Sequence, residues 1–190
     1  MLRAITAFLY RAAGWKVIGR PPVEVKKAVW VGAPHTSNWD FIVCLGGRAE
    51  LQINIGFLAK SQLFKWYSGW LFKALGCYPV YRNKSTNLVD NVSAMFQQYE
   101  ELHIAITPEG TRKDVDRLKT GFYHIALKAN VPLVLIGFDY PRKAIVISEP
   151  IVLQNDFEKD MKVIYDFYLT IQGERKTWLK NYKATGSILA

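Results

Sequence analysis

Cysteine is scarce in this 190-residue sequence: only Cys44 and Cys77 occur, in no C-x-x-C pair and at no metal-ligating spacing. That argues against a disulfide framework and makes a reducing, cytosolic compartment the default. Both cysteines sit among apolar neighbours and read as small buried hydrophobes. No run approaches eighteen uncharged apolar residues, which argues against a membrane-spanning helix. The G-x-S-x-G elbow is missing, so a serine hydrolase of that type is disfavoured. No zinc-finger, homeodomain or RNP-type pattern appears, and no nucleic acid partner is expected. Internal repeats, low-complexity tracts and linkers are absent too, so residues 1–190 read as one domain, large enough for a real core.

Acid is also scarce locally. Residues 51–89 carry Lys60, Lys65, Lys73, Arg82 and Lys84 with no aspartate or glutamate. The first 34 residues set Arg3, Arg11, Lys16, Arg20, Lys26 and Lys27 against Glu24 alone. The net charge of +9 asks for an anionic partner. A solvated basic face is the plain reading. Cations interleaved with large apolar groups, as here, are the pattern of segments lying on a membrane surface. Residues 1–20 read as a retained, membrane-associating amphipathic helix. Their apolar run is short, Arg11 interrupts it, and no small-residue cleavage site follows.

What is present is a globular composition, 50% hydrophobic and 14% aromatic. The order of segments alternates helix and strand. A helix is predicted over 2–17, ended by Gly19-Arg20-Pro21-Pro22. A buried strand, 28–32, delivers His35 to the loop beyond it, and a helix over 38–50, capped by Ser37 or Asn38, places Asp40 in its first turn. A strand over 53–59 delivers Lys60, and one over 78–81 delivers Arg82. The aromatic segment 63–72 reads either as core helix or as a face for lipid or acyl chain. Val92, Met95, Phe96, Tyr99 and Leu102 form a helical stripe predicted to be core. Strand 102–107 runs straight into Pro108-Glu109-Gly110-Thr111-Arg112. A helix near 120–130, strands over 132–138 and 143–147, and a closing helix over 156–181 complete an α/β pattern with site residues on loops at strand ends. His103 and His124 are read as structural.

Two blocks carry chemistry. Histidine titrates near neutrality and can take a hydroxyl proton as that oxygen attacks an acyl carbonyl. A carboxylate on its far nitrogen fixes the tautomer, and Asp40, one turn into the helix after His35, is placed to do so. In the second block Arg112 offers a bidentate anion clamp. Gly110 permits a turn other residues resist and can present its amide to a phosphate. Glu109 can hold an acceptor hydroxyl or brace an arginine. The plain alternatives are a capping histidine and a surface turn.

His35-x4-Asp40, Arg82 after Gly76-Cys77-Tyr78-Pro79-Val80-Tyr81, Pro108-Glu109-Gly110-Thr111-Arg112 and Val131-Pro132-Leu133, in that order, resemble the four motifs of the glycerolipid acyltransferases. The branch they most resemble is the lysophosphatidic acid (1-acyl-glycerol-3-phosphate) acyltransferases. The resemblance runs from about 30 to 138. It implies a single-domain α/β fold, a largely seven-stranded sheet flanked by helices. It implies His35 as general base and Asp40 as its orienter, with Arg82 and Arg112 on the acceptor phosphate, Lys60 nearby, and Glu109, Gly110 and Thr111 lining the acceptor site. It implies a fatty acyl thioester of coenzyme A or acyl carrier protein as co-substrate, with no metal and no bound cofactor. The product would enter phospholipid biosynthesis, made by a peripheral protein on the cytoplasmic face of an anionic membrane. Two alternatives stay open: another lipid acceptor such as an aminolipid, and a non-catalytic basic membrane-binding module.

Overall fold

The structure is a computed structural model that describes residues 2–80, 85–173 and 176–188, without the side chains of Leu2, Lys60 and residues 85–87. Its helices are α1 (Leu2–Ala12), α2 (Trp39–Leu51), α3 (Gly69–Ala74), α4 (Ser85–Gln98), α5 (Gly121–Ala129), α6 (Phe157–Leu169) and α7 (Thr177–Thr185). Its strands are β1 (Lys16–Ile18), β2 (Lys27–Ala33), β3 (Ile55–Lys60), β4 (Cys77–Val80), β5 (Leu102–Ile106), β6 (Leu133–Asp139) and β7 (Ala144–Ile147). They form one seven-stranded sheet in the order β1-β7-β6-β2-β5-β3-β4. The five strands from β6 to β4 are parallel to one another. The β7 strand runs antiparallel to β6, and β1 pairs parallel with β7.

Why β2 and β6 read as continuous apolar runs is now plain: both faces of each are covered. Along β2, Val29, Val31 and Ala33 point into the core beneath α4–α7, whereas Ala28 and Trp30 point into the core beneath α1 and α2. Leu133 and Leu135 of β6 face the first core and Val134, Ile136 and Phe138 the second. The helix after β2 lies on one face and the helix after β5 on the other, because α2 leads toward β3 and α5 leads back toward β6. With crossovers of one hand, a reversal of direction means a change of face. The chain therefore leaves the adjacent strands β2 and β5 for opposite faces, the point in an open parallel sheet where ligand sites form.

The helix that carries Asp40 is seated closely. A Cβ on Gly46 would lie 2.3 Å from the Tyr10 ring, so glycine lets α1 press against α2.

Four expectations need correction. The first helix stops at Ala12, and Lys16–Ile18 is an edge strand, because Gly14 takes a left-handed φ of +82° and turns the chain. The closing helix over 156–181 is two helices, α6 and α7, separated at Gln172-Gly173, where Gly173 adopts φ +122°. The stripe from Val92 ends early: Val92 and Phe96 are buried, Tyr99 is exposed beyond α4, and Leu102 belongs to β5. Segment 63–72 is no core helix. A 3₁₀ turn, Ser61–Leu63, leads through a turn into the short α3, and Trp66, Tyr67, Trp70 and Leu71 are exposed.

Candidate active site

His35 follows β2 across a cis Ala33–Pro34 bond, and its ring is mostly covered. Its Nδ1 lies 2.7 Å from Oδ2 of Asp40. The same oxygen accepts the amides of Thr36 (2.7 Å) and Ser37 (3.0 Å). Asp40, in the first turn of α2, is 1% exposed. Burial works against its charge, but His35, the Tyr140 hydroxyl and the two amides outweigh it and hold the carboxyl below its ordinary range. The α2 helix starts one residue later than read, with Asn38 before it making no side-chain cap, while the Ser37 hydroxyl accepts from the Trp39 amide (3.1 Å).

The loop after β5 packs against this one through Glu109. Its Oε2 accepts the His35 backbone amide (2.7 Å), and its Oε1 accepts the Trp178 indole N–H (3.0 Å). Glu109 is 0% exposed. Burial pushes its carboxyl above the ordinary range, opposed by those two hydrogen bonds and by the nearby Lys176. The structure shows Glu109 engaged by the protein itself. Both of its oxygens are turned inward, and it braces the backbone of His35. The amide of Gly110 is likewise spent internally, on the Thr107 carbonyl (3.1 Å), rather than offered to an anion. Gly110 holds φ +65°, and the Lys119 side chain crosses it so closely that a Cβ would lie 2.9 Å from Nζ. Thr111 accepts the Lys113 amide (3.2 Å). The buried Lys176 donates to the Arg112 carbonyl (3.0 Å), anchoring the backbone of a residue whose side chain is exposed.

Of the remaining sequence-derived residues, Lys60 ends β3 opposite Val80 of β4, at the same carboxyl edge; its side chain is not described. Arg82 lies outside the described residues. His103 is buried and its Nδ1 accepts the Trp30 indole N–H (3.0 Å); burial lowers its pKa and keeps it neutral, a structural role. His124 is exposed on α5.

Sequence reading missed three contributors: Tyr140, whose hydroxyl donates to Oδ1 of Asp40, and Trp178 and Lys176, which support the second loop. The only sequence signal for Tyr140 is its place just beyond β6, the third parallel strand at this edge. Among the described residues no group of three His, Cys, Asp or Glu is arranged to hold a metal. An imidazole whose Nδ1 faces a buried carboxylate has the arrangement of a general base, able to take a proton at Nε2.

Comparison with known proteins agrees with that geometry. Residues 15–139 match the family described as Acyltransferase. A probable 1-acyl-sn-glycerol-3-phosphate acyltransferase of Mycoplasma pneumoniae is 30% identical over 141 residues, covering 70% of this chain and 52% of that protein. The 1-acyl-sn-glycerol-3-phosphate acyltransferase of Haemophilus influenzae is 28% identical over 134 residues, covering 66% and 55%. That of Escherichia coli is 27% identical over 129 residues, covering 64% and 51%. The chain thus spans about half the length of the curated relatives it matches. The crystal structure of the 1-acyl-sn-glycerophosphate (LPA) acyltransferase PlsC from Thermotoga maritima shares the fold, with a TM-score of 0.60 at 17% identity over 91% of this chain and 81% of that one. The chain belongs to the acyltransferase family.

Proposed function

We propose that this protein moves a fatty acyl group from an acyl thioester to the hydroxyl of a lysophospholipid, 1-acyl-glycerol-3-phosphate being the favoured acceptor. The observation that carries this reading is the 2.7 Å approach of His35 Nδ1 to a buried, charged Asp40. With Nδ1 so engaged, Nε2 is the nitrogen left to act. It takes the acceptor's hydroxyl proton while that oxygen attacks the thioester carbon. The tetrahedral intermediate then collapses, the C–S bond breaks, and the departing thiolate receives the proton from the imidazolium. Asp40 stabilises that imidazolium without itself being protonated. Neither a metal nor a covalent acyl-enzyme is required. Arg112, with Lys60 and Arg82, is assigned the acceptor's phosphate, and coenzyme A or acyl carrier protein is assigned as donor.

The site of action is proposed to be an anionic bilayer, bound peripherally on its cytoplasmic face. Two surfaces support this. On α1, Ile5, Phe8 and Leu9 are exposed, and Trp39 and Ile42 are exposed on the adjoining α2. In segment 61–74, Leu63, Trp66, Tyr67, Trp70 and Leu71 are exposed among Lys65 and Lys73. Large rings and aliphatic tips among cations suit the headgroup layer. No helix among the described residues is long and apolar enough to cross a membrane.

The test is to incubate purified protein with palmitoyl-coenzyme A and a panel of lysophosphatidate, neutral lysolipids and aminolipids, and to weigh the products. Diacyl product from lysophosphatidate alone supports the reading. Product from an aminolipid alone moves the acceptor assignment. Vesicle binding with no product from palmitoyl-coenzyme A, nor from palmitoyl-acyl carrier protein in its place, leaves the non-catalytic membrane module instead.

A further inference from the structure

We propose that Tyr140 is a positioning residue of the His35–Asp40 pair, tying the loop that carries the base to the sheet and orienting the aspartate toward the imidazole. The inference rests on the catalytic reading of that pair and extends it to a third strand.

Three of the contacts of Asp40 are local, from Thr36, Ser37 and His35, and all three meet Oδ2. They would move with the loop if the loop moved. Its other oxygen, Oδ1, accepts the hydroxyl of Tyr140, which lies one hundred residues away at the end of β6. Among the described residues, that contact alone joins the carboxylate to the body of the sheet. A carboxylate held at one oxygen can pivot; one held at both presents a fixed edge to Nδ1.

Tyr140 is itself held firmly. Trp15 meets its ring edge-on, with centroids 5.3 Å apart at 86°. The Tyr140 carbonyl accepts the Lys143 amide (3.0 Å). The turn that begins there is closed by its neighbour Asp139, wholly buried, which accepts the Arg142 amide (3.0 Å), Arg142 Nε (2.8 Å) and the Gln172 amide (2.8 Å). With Arg142 Nη2 (2.5 Å) as a fourth N–H donor, this buried carboxylate makes a stiff support. Placement thus passes from the Asp139–Arg142 clamp to Tyr140, then to Asp40, then to His35.

The groups facing Asp40 are His35, Tyr140 and, one turn along α2, Cys44. Burial first, and Asp40 second, push both the phenol and the thiol up to about 12. Both stay protonated at working pH, so the phenol remains a donor and neither adds a charge beside the aspartate.

Tyr140→Phe keeps the ring and its Trp15 contact and removes one hydroxyl. The expected result is a fall in kcat of about 10- to 100-fold, the scale of one hydrogen bond to a charged group. KM for the acceptor and vesicle binding stay unchanged. The acid limb of the kcat/KM profile moves to higher pH, because a carboxylate without the phenol lets the pair hold its proton more tightly. Arg142→Gln leaves the phenol but loosens its turn, and gives the same split in smaller measure; it also serves if the phenylalanine variant does not fold. The Nδ1 proton resonance of His35 is read without turnover and is expected to shift in Tyr140→Phe, which separates this inference from the fate of the acyltransferase reading. A wild-type kcat, profile and resonance in both variants would overturn it. So would a raised KM at unchanged kcat, which would place the phenol on the acceptor instead.

Discussion

Two regions of the molecule are rich in aromatic residues and have opposite fates. Tyr165 and Tyr168 of α6 and Trp178 and Tyr182 of α7 are buried in mutual edge and tilted contacts, with centroids 4.8 to 5.7 Å apart. Trp66, Tyr67 and Trp70 are exposed, Trp66 at 93%. What separates them is where the polar tips go. Tyr168 donates to the Val31 carbonyl of β2 (2.7 Å), Trp178 to Glu109 (3.0 Å) and Tyr182 to Asp166 (2.6 Å). In the exposed set, the Trp70 indole reaches only its near neighbour, the Tyr67 carbonyl (3.1 Å). An aromatic ring is buried stably when its polar atom finds a partner inside. Tyr168 and Trp178 find such partners on the strand and loop that carry the site; the second set has rings and cations turned outward.

The largest test of that contrast is stability. Trp178→Ala leaves a cavity and removes the donor to buried Glu109, and is expected to cost about 3–5 kcal/mol in urea unfolding. Trp66→Ala should lie within about 0.5 kcal/mol of wild type in the same experiment. Equal losses at the two positions would break the comparison. Membrane affinity should reverse the ranking. Trp66→Ala with Trp70→Ala is expected to weaken partition to anionic vesicles by about tenfold or more, each tenfold being 1.4 kcal/mol, while a folded Trp178 variant binds as wild type. Sedimentation of vesicles measures both. Tyr168→Phe sharpens the buried side: it removes the hydroxyl from the Val31 carbonyl and should cost about 1 kcal/mol.

The smallest effect expected is in pH dependence. Burial raises the Glu109 carboxyl in the folded state, so the native protein holds that proton more tightly than the unfolded chain. Its contribution to stability is therefore greatest below the ordinary glutamate value and declines as pH rises through the folded one. Glu109→Gln removes that decline. The stability of wild type relative to the variant should fall on going from pH 4 upward, read from urea curves at several pH values; a difference that rises with pH would contradict the assignment.

How much of this was legible in the sequence depended on chain separation. The His35–Asp40 contact spans five positions and follows from one loop and one helical turn, so the spacing revealed it. Strands β2 and β6 were legible because burial on both faces writes an unbroken apolar run. The β1 strand was hidden, since Trp15, Val17 and Ile18 continue an apolar pattern that only the turn at Gly14 interrupts. Exposure of segment 61–74 could not be read either, because composition does not say where ring N–H and O–H groups find partners. Glu109 was recognised as a site residue, but its indole donor lies 69 residues further on, beyond any local pattern. Tyr140, one hundred residues from Asp40, was hidden for the same reason.

The central claim is that His35 is the base of an acyl transfer, and turnover by His35→Ala tests it most directly. With palmitoyl-coenzyme A and lysophosphatidate, kcat is expected to fall by about 10²- to 10⁴-fold, with unfolding and vesicle binding both as in wild type. Full turnover in that variant would contradict the account.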